Sequence, residues 1–194
     1  MGFAPNTGES PLHGLRSAFS LYLYFAMSDR APLTPELLDR AVRQAFDHVF
    51  PILVKTNTRF IDSAPQIDAS ILGDGGLVMG CVGFLGDIDG FIHLRFSDEC
   101  SQVIAGLILG MSPDEIKAEG FDLVKDSLGE LTNMSVGNFK NGLCDLGYPC
   151  KLTLPTIVRG SHLVVPTAKG ATRRVYHFEI AGHPLLADLQ LKVD

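Results

Sequence analysis

Asp126, Glu130, Asn133 and Gly137 stand four, three and four residues apart in the stretch Asp-Ser-Leu-Gly-Glu-Leu-Thr-Asn-Met-Ser-Val-Gly. On an α-helix that spacing draws one polar line, with apolar residues on the other face. A carboxylate and a carboxamide fixed one turn apart on a rigid rod are suited to holding a water molecule and a partner's charge. The asparagine amide offers one acceptor and two donors and is neutral at physiological pH. It orients a nucleophilic water without taking its proton. That suffices where the leaving group is good, because phosphoryl transfer then depends on placement and electrostatics. The acyl phosphate of a phosphorylated aspartate is such a substrate.

Gly129 and Gly137 lie one turn either side of Asn133. Each costs a helix interior about 1 kcal/mol relative to alanine, so a reason for them is expected. Two are open: close approach of a docked partner, or close packing of the helix on its own sheet or on another helix. Glu130 is placed either to pair with a partner's lysine or to sit solvated, and Asp126 begins the same line. The bare E-x-x-N string recurs by chance in roughly one in two or three chains of this size, so it decides nothing alone.

The elements that must position this line can be read from periodicity. Thr34-Pro35-Glu36 opens a helix in which Leu38, Ala41, Val42, Ala45, Phe46, Val49 and Phe50 recur at three and four, with Pro51 as its expected end. Strands are expected near 54–61 and 66–72. A hairpin follows over 77–87 and 90–96, turned at Ile88-Asp89-Gly90. Its glycines 80, 83 and 86 lack the Lys-Ser/Thr of a phosphate loop and read as bends in a sheet.

Ser97 caps a helix over 98–109, and 111–119 is a short helical connector. The helix carrying Asn133 spans 121–145, with Phe121, Val124, Leu128, Leu131, Met134 and Ser135 as its inner stripe. Strands are expected at 161–167, 174–181 and 185–193. A faint internal duplication also shows: a shift of 86 residues lays Gln44 on Glu130 and Asp47 on Asn133.

Composition bounds the rest. The 194 residues suit one domain with a full core, and residues 1–26 read as an appendage before a domain over 27–194, with Met27 an alternative start. The net charge of −6, with Arg173-Arg174 as the only basic cluster, argues against nucleic acid and anionic membranes as partners. The apolar run Phe19–Met27 is too short to span a bilayer and lacks a signal-peptide layout.

Cys81, Cys100, Cys144 and Cys150 show no metal-ligand spacing and read as reduced thiols of a cytoplasmic protein, a Cys144–Cys150 bridge being the alternative. His162, His177 and His183, with Asp188 nearby, have no local ligand spacing, so neither metal nor cofactor is expected on the chain. Ser135 reads as packed or solvated, not as a nucleophile.

Several segments together carry a resemblance. They are Asp126-x-x-x-Glu130-x-x-Asn133-x-x-x-Gly137-Asn138, then Leu154-Pro-Thr-Ile-Val-Arg-Gly160, and Gly83-Phe-Leu-Gly-Asp-Ile-Asp-Gly90 running through His93-Leu-Arg-Phe96 to Leu109-Gly-Met111. With these the chain resembles the CheX/CheC/FliY family of chemotaxis phosphatases over about residues 35–194, and most of all its single-motif CheX branch.

The resemblance implies an α+β fold, a layer of long helices on an antiparallel sheet with a pseudo-two-fold repeat. It implies hydrolysis of the aspartyl phosphate of a CheY-like receiver domain, Asn133 orienting the attacking water and Glu130 contacting the receiver's lysine. Mg²⁺ would sit in the receiver. A homodimer through sheet edges is implied as well. Gln44 and Asp47 depart from a two-motif pattern and leave one site per chain. A second reading keeps the same face as a non-catalytic module that docks on a receiver or a flagellar switch protein.

Overall fold

The computed structural model describes residues 32–66 and 68–193. The chain divides into two units, Met1–Leu33 and Thr34–Asp194, and the elements belong to the second. The expected appendage, 1–26, lies outside the described residues.

Helix α1 (Pro35–Leu53) begins where the Thr34 hydroxyl accepts the Leu37 N–H at 3.3 Å and Pro35 fills the first turn. Its buried residues are the seven that the three-and-four pattern marks, Leu38 to Phe50. It does not stop at Pro51. Proline there removes one intrahelical donor, and the Val54 N–H reaches the Phe50 carbonyl at 2.8 Å to close the last turn.

Strand β1 (Arg59–Ala64) follows, then a 3₁₀ turn over Ala69–Leu72 where a strand was expected. The Asp68 carboxylate accepts the Ser70 N–H at 2.9 Å and diverts the backbone into that turn. Strands β2 (Leu77–Gly86) and β3 (Ile88–Ser97) form the hairpin, its bend held by the Asp89 carboxylate on the Gly86 N–H at 3.0 Å. Helix α2 (Asp98–Leu109) is capped by Ser97, and α3 (Pro113–Glu119) starts in a reciprocal Ser112–Glu115 capping box. The long helix α4 (Phe121–Asp145) and the strands β4 (Cys150–Leu152), β5 (Thr156–Gly160), β6 (Thr172–Ile180) and β7 (His183–Val193) complete the chain.

Residues 161–167 are not a strand. They run as a strap over the sheet, tied by the Arg95 guanidinium on the Leu163 carbonyl at 2.7 Å and the Gln190 amide on the Pro166 carbonyl at 3.1 Å. Leu163 packs there on Leu72, Leu77, Val175 and Leu186. The apolar alternation of this stretch thus serves a second, smaller core on the face away from the helices.

The seven strands among the described residues pair antiparallel in the order β1-β6-β7-β3-β2-β4, with β5 sharing β2. The order is the same from either end: β7 answers β3, β6 answers β2, and β1 answers the β4/β5 pair. The helices agree. Adding 86 to each buried position of α1 gives Val124, Ser127, Leu128, Leu131, Thr132, Ser135 and Val136, every one buried on α4. The faint duplication in the sequence is therefore a pseudo-two-fold in the α+β fold.

Candidate functional site

Helix α4 presents Asp126, Glu130 and Asn133 exposed in one line, with Gly137 half-buried at its far end. The opposite side is sunk into the core. Leu128, Leu131, Val136 and Leu143 are fully buried, whereas Phe121 and Met134 of the expected stripe lie half-buried at its margins. Two hydroxyls on the inner side are paired within the helix: Thr132 donates to the Leu128 carbonyl at 2.6 Å and Ser127 to the Leu123 carbonyl at 2.9 Å.

Gly80 of β2 lets the helix seat closely. A Cβ built there would fall 2.2 Å from the Thr132 hydroxyl oxygen. One at Gly83 would stand 3.2 Å from Thr153, and one at Gly86 2.4 Å from the Pro149 carbonyl oxygen. These three glycines are points of close approach along β2. Because Thr132 faces β2, its neighbour Asn133 points away from the sheet.

Gly129 and Gly137 behave differently. An added Cβ would meet only Ile157 of β5 at 3.9 Å and Leu152 of β4 at 3.8 Å, ordinary van der Waals contacts. Packing on the chain's own sheet therefore does not demand glycine at either position. Of the two reasons left open by the sequence, approach from outside is the one that still applies.

Beside Asn133 lies a shallow depression of about 510 Å³, lined by Gly137, Asn138, Lys140, Lys151 and Leu152 among others. Lys140 continues the four-three spacing beyond Gly137, so its place on this face was legible in the sequence. Lys151 reaches it from β4, which no local pattern announced. Cys150 also borders the depression, and burial pushes its thiol up from the ordinary range, away from the reactive thiolate. Behind the line, Arg159 of β5 grips Asp98 at the start of α2, its Nε 2.8 Å from one carboxylate oxygen, and stands over the Phe121 ring at 5.1 Å. That clamp fixes β5 and the first turn of α4 to one another.

The other candidates fall away from this face. Ser135 is buried with its hydroxyl unpaired, closed to any substrate. His177 stands 3.5 Å from Asp62, and the described residues hold no group of three or more metal-ligating side chains. All four cysteines are free thiols. Among the described residues, no helix is long and apolar enough to cross a membrane.

The model of the family described as chemotaxis phosphatase CheX matches residues 78–179, from β2 to near the end of β6. The chain belongs to the CheX family. That match covers Glu130, Asn133 and the β4–β5 segment together. Solved structures agree on the CheX fold at low identity. A chemotaxis protein CheX of Desulfovibrio desulfuricans shares 18% identity at a TM-score of 0.67, over 80% of this chain and 99% of that one. A CheC-like protein of Shewanella oneidensis shares 24% identity at 0.64, over 82% and 100%. A chain of the CheX–CheY–BeF₃–Mg²⁺ complex of Borrelia burgdorferi shares 18% at 0.60, over 81% and 96%. No curated protein matches the chain.

Proposed function

We propose that this CheX-family chain accelerates hydrolysis of the aspartyl phosphate of a CheY-like receiver domain in the cytoplasm. The observation that carries the proposal is the uncovered line on α4: Glu130 and Asn133 exposed one turn apart, side chains about 5–6 Å from each other at Cβ, with glycine on either side. A convex face of this kind enters a partner's pocket; it does not enclose a small substrate.

In the docked complex the Asn133 carboxamide holds a water in line with the phosphorus. The water oxygen forms the new bond to phosphorus as the bond to the aspartyl oxygen breaks. Inorganic phosphate leaves with both hydrogens of the water, and the receiver recovers its carboxylate. Asn133 supplies orientation, which converts an encounter with bulk water into an attack at fixed geometry. Glu130, one turn away, pairs with the receiver's active-site lysine and sets the angle of docking. Mg²⁺ belongs to the receiver's acidic pocket, where it neutralises the phosphoryl oxygens. Lys140 and Lys151, at the margin of the depression, favour approach of an acidic partner. The complex of Borrelia burgdorferi, in which CheX and CheY are held with BeF₃ and Mg²⁺, supports a receiver as partner. The sheet edges at β1 and at β4/β5 support a homodimer, which light scattering of the purified chain tests.

The deciding experiment follows phosphate release from a receiver charged with acetyl phosphate and Mg²⁺, with and without the chain. Acceleration that disappears in Asn133→Ala, with receiver affinity largely kept, is the expected result. Loss of affinity in proportion to loss of rate would instead make the α4 face a docking surface without catalysis.

A further inference from the structure

The face of the sheet away from the helices holds a second cavity, of about 730 Å³, beneath the strap that follows β5. Its wall includes Leu77, Leu163 and Val165, and its polar lining includes Arg95 and Arg173. Arg95 is only 8% exposed, so more than nine-tenths of it is withdrawn from water. One N–H of its guanidinium donates to the Leu163 carbonyl at 2.7 Å, while its buried Nε has no partner.

Charge on this side of the sheet does not balance. Asp188, fully buried, receives Arg173 through two bonds of 2.8 and 2.6 Å. Among the described residues, Arg95 makes no ion pair with a carboxylate of its own. Its neighbour His93, paired across the strands with Asp188, is pushed toward the neutral form by burial. Two guanidiniums thus share a single carboxylate, leaving one positive charge in excess in a place poor in water. An uncompensated buried charge is costly, and a partner anion relieves that cost.

The outer margin of the cavity has the opposite sign. Asp68 and Asp74, both exposed, border it beside Ser70. A ligand with several negative charges meets stronger repulsion there than one with a single carboxylate and an apolar or cationic remainder. We infer that this cavity is a binding site for a small monocarboxylate with an apolar body, amino acids included, whose carboxylate lies on Arg95. The volume falls in the range of small-molecule sites, and the site stands apart from the α4 face.

Heteronuclear NMR titrations of the full chain with phenylacetate, leucine, succinate and inorganic phosphate, at constant ionic strength, test the inference. Phenylacetate or leucine is expected to saturate below about 1 mM, shifting amides of residues 161–165 and 70–75. Succinate and phosphate are expected to bind at least tenfold more weakly. Arg95→Met should weaken the favoured ligand at least tenfold. Ser70→Trp, at an exposed rim position, should do so by obstruction, and it decides the matter should Arg95→Met fail to fold. No saturation by either monocarboxylate, equal binding of phosphate, or binding unchanged in Ser70→Trp would overturn the site.

Discussion

Helices α1 and α4 are the same frame carrying different faces. Each of the seven buried positions of α1 has a buried counterpart on α4 under the 86-residue shift, yet no matched position of their outer lines carries the same residue. Where α4 has Asp126, Gly129, Glu130, Asn133 and Gly137, α1 has Arg40, Arg43, Gln44, Asp47 and Pro51. Arg43 lies over the Phe60 ring at 4.6 Å and Asp39 is bound to Arg174 and Ser63, so charged side chains crowd the α1 face around a depression of about 470 Å³. The α4 line is bare. A carboxylate at Asp47 also opposes entry into an acidic phosphoaspartate pocket, where the neutral amide of Asn133 does not. The fold supplies two platforms that differ in their outer side chains, and the proposed chemistry rests on those of α4.

The largest effect comes from removing the amide. Asn133→Ala should lower the receiver dephosphorylation rate at least about a hundredfold, as loss of one positioned group does elsewhere. The thermal midpoint should stay put because the side chain is exposed. Asn133→Asp, which makes α4 resemble α1 at this position, should be equally inactive and should bind the phosphorylated receiver more weakly.

The seats of the two helices differ as well. Under α1, Phe46 stacks on Phe178 of β6 with ring centroids 4.3 Å apart; under α4, Thr132 meets Gly80 of β2 with no room for a methyl group. Gly80→Ala should therefore destabilise the chain by about 1–3 kcal/mol through overpacking, measured by denaturant titration. It should also lower phosphatase activity by lifting α4. Destabilisation below a few tenths would show that the close seat is not required.

Glu130→Gln removes a charge from the docking contact and leaves the amide line in place. The expected result is a KM for phosphorylated receiver raised about tenfold with kcat nearly kept, the signature of a lost charged hydrogen bond in binding. A smaller gain tests the comparison from the other side. Grafting Arg40→Asp, Arg43→Gly, Gln44→Glu and Asp47→Asn onto α1 of the Asn133→Ala chain should restore about threefold of rate over that background. The modest figure reflects a site whose supporting residues were not built for it.

The helical half of the architecture was legible because burial period and caps act locally. Thr34, Ser97 and the apolar spacing place α1, α2 and α4, and the exposed line on α4 follows from spacing alone. What escaped was set by distant partners. The short strands β4 and β5 exist because both lie on β2, and three or five residues carry too little periodicity to announce themselves. Residues 161–167 imitate a strand, but their polar ties come from Arg95 and Gln190, far away in sequence. The role of Gly80 is fixed by Thr132, which no local motif links to it. Asn133 was readable as exposed; Lys151 beside it was not, since only the β2–β4 pairing brings it there.

Gly129→Ala and Gly137→Ala give the smallest effect and the sharpest test of the bare line. Both sites are helical with negative φ, and each new methyl would meet one side chain at ordinary contact distance. Each substitution should stabilise the folded chain by about 0.5–1 kcal/mol, since alanine loses less freedom than glycine in a helix. The same methyl groups would stand beside Asn133 on the side from which the receiver approaches. Affinity for the phosphorylated receiver should fall severalfold while the chain becomes harder to unfold. Opposite signs in the two measurements mark residues kept for a partner at the expense of the helix. Destabilisation with affinity unchanged would return the glycines to internal packing, and α4 would lose the feature that most separates it from α1.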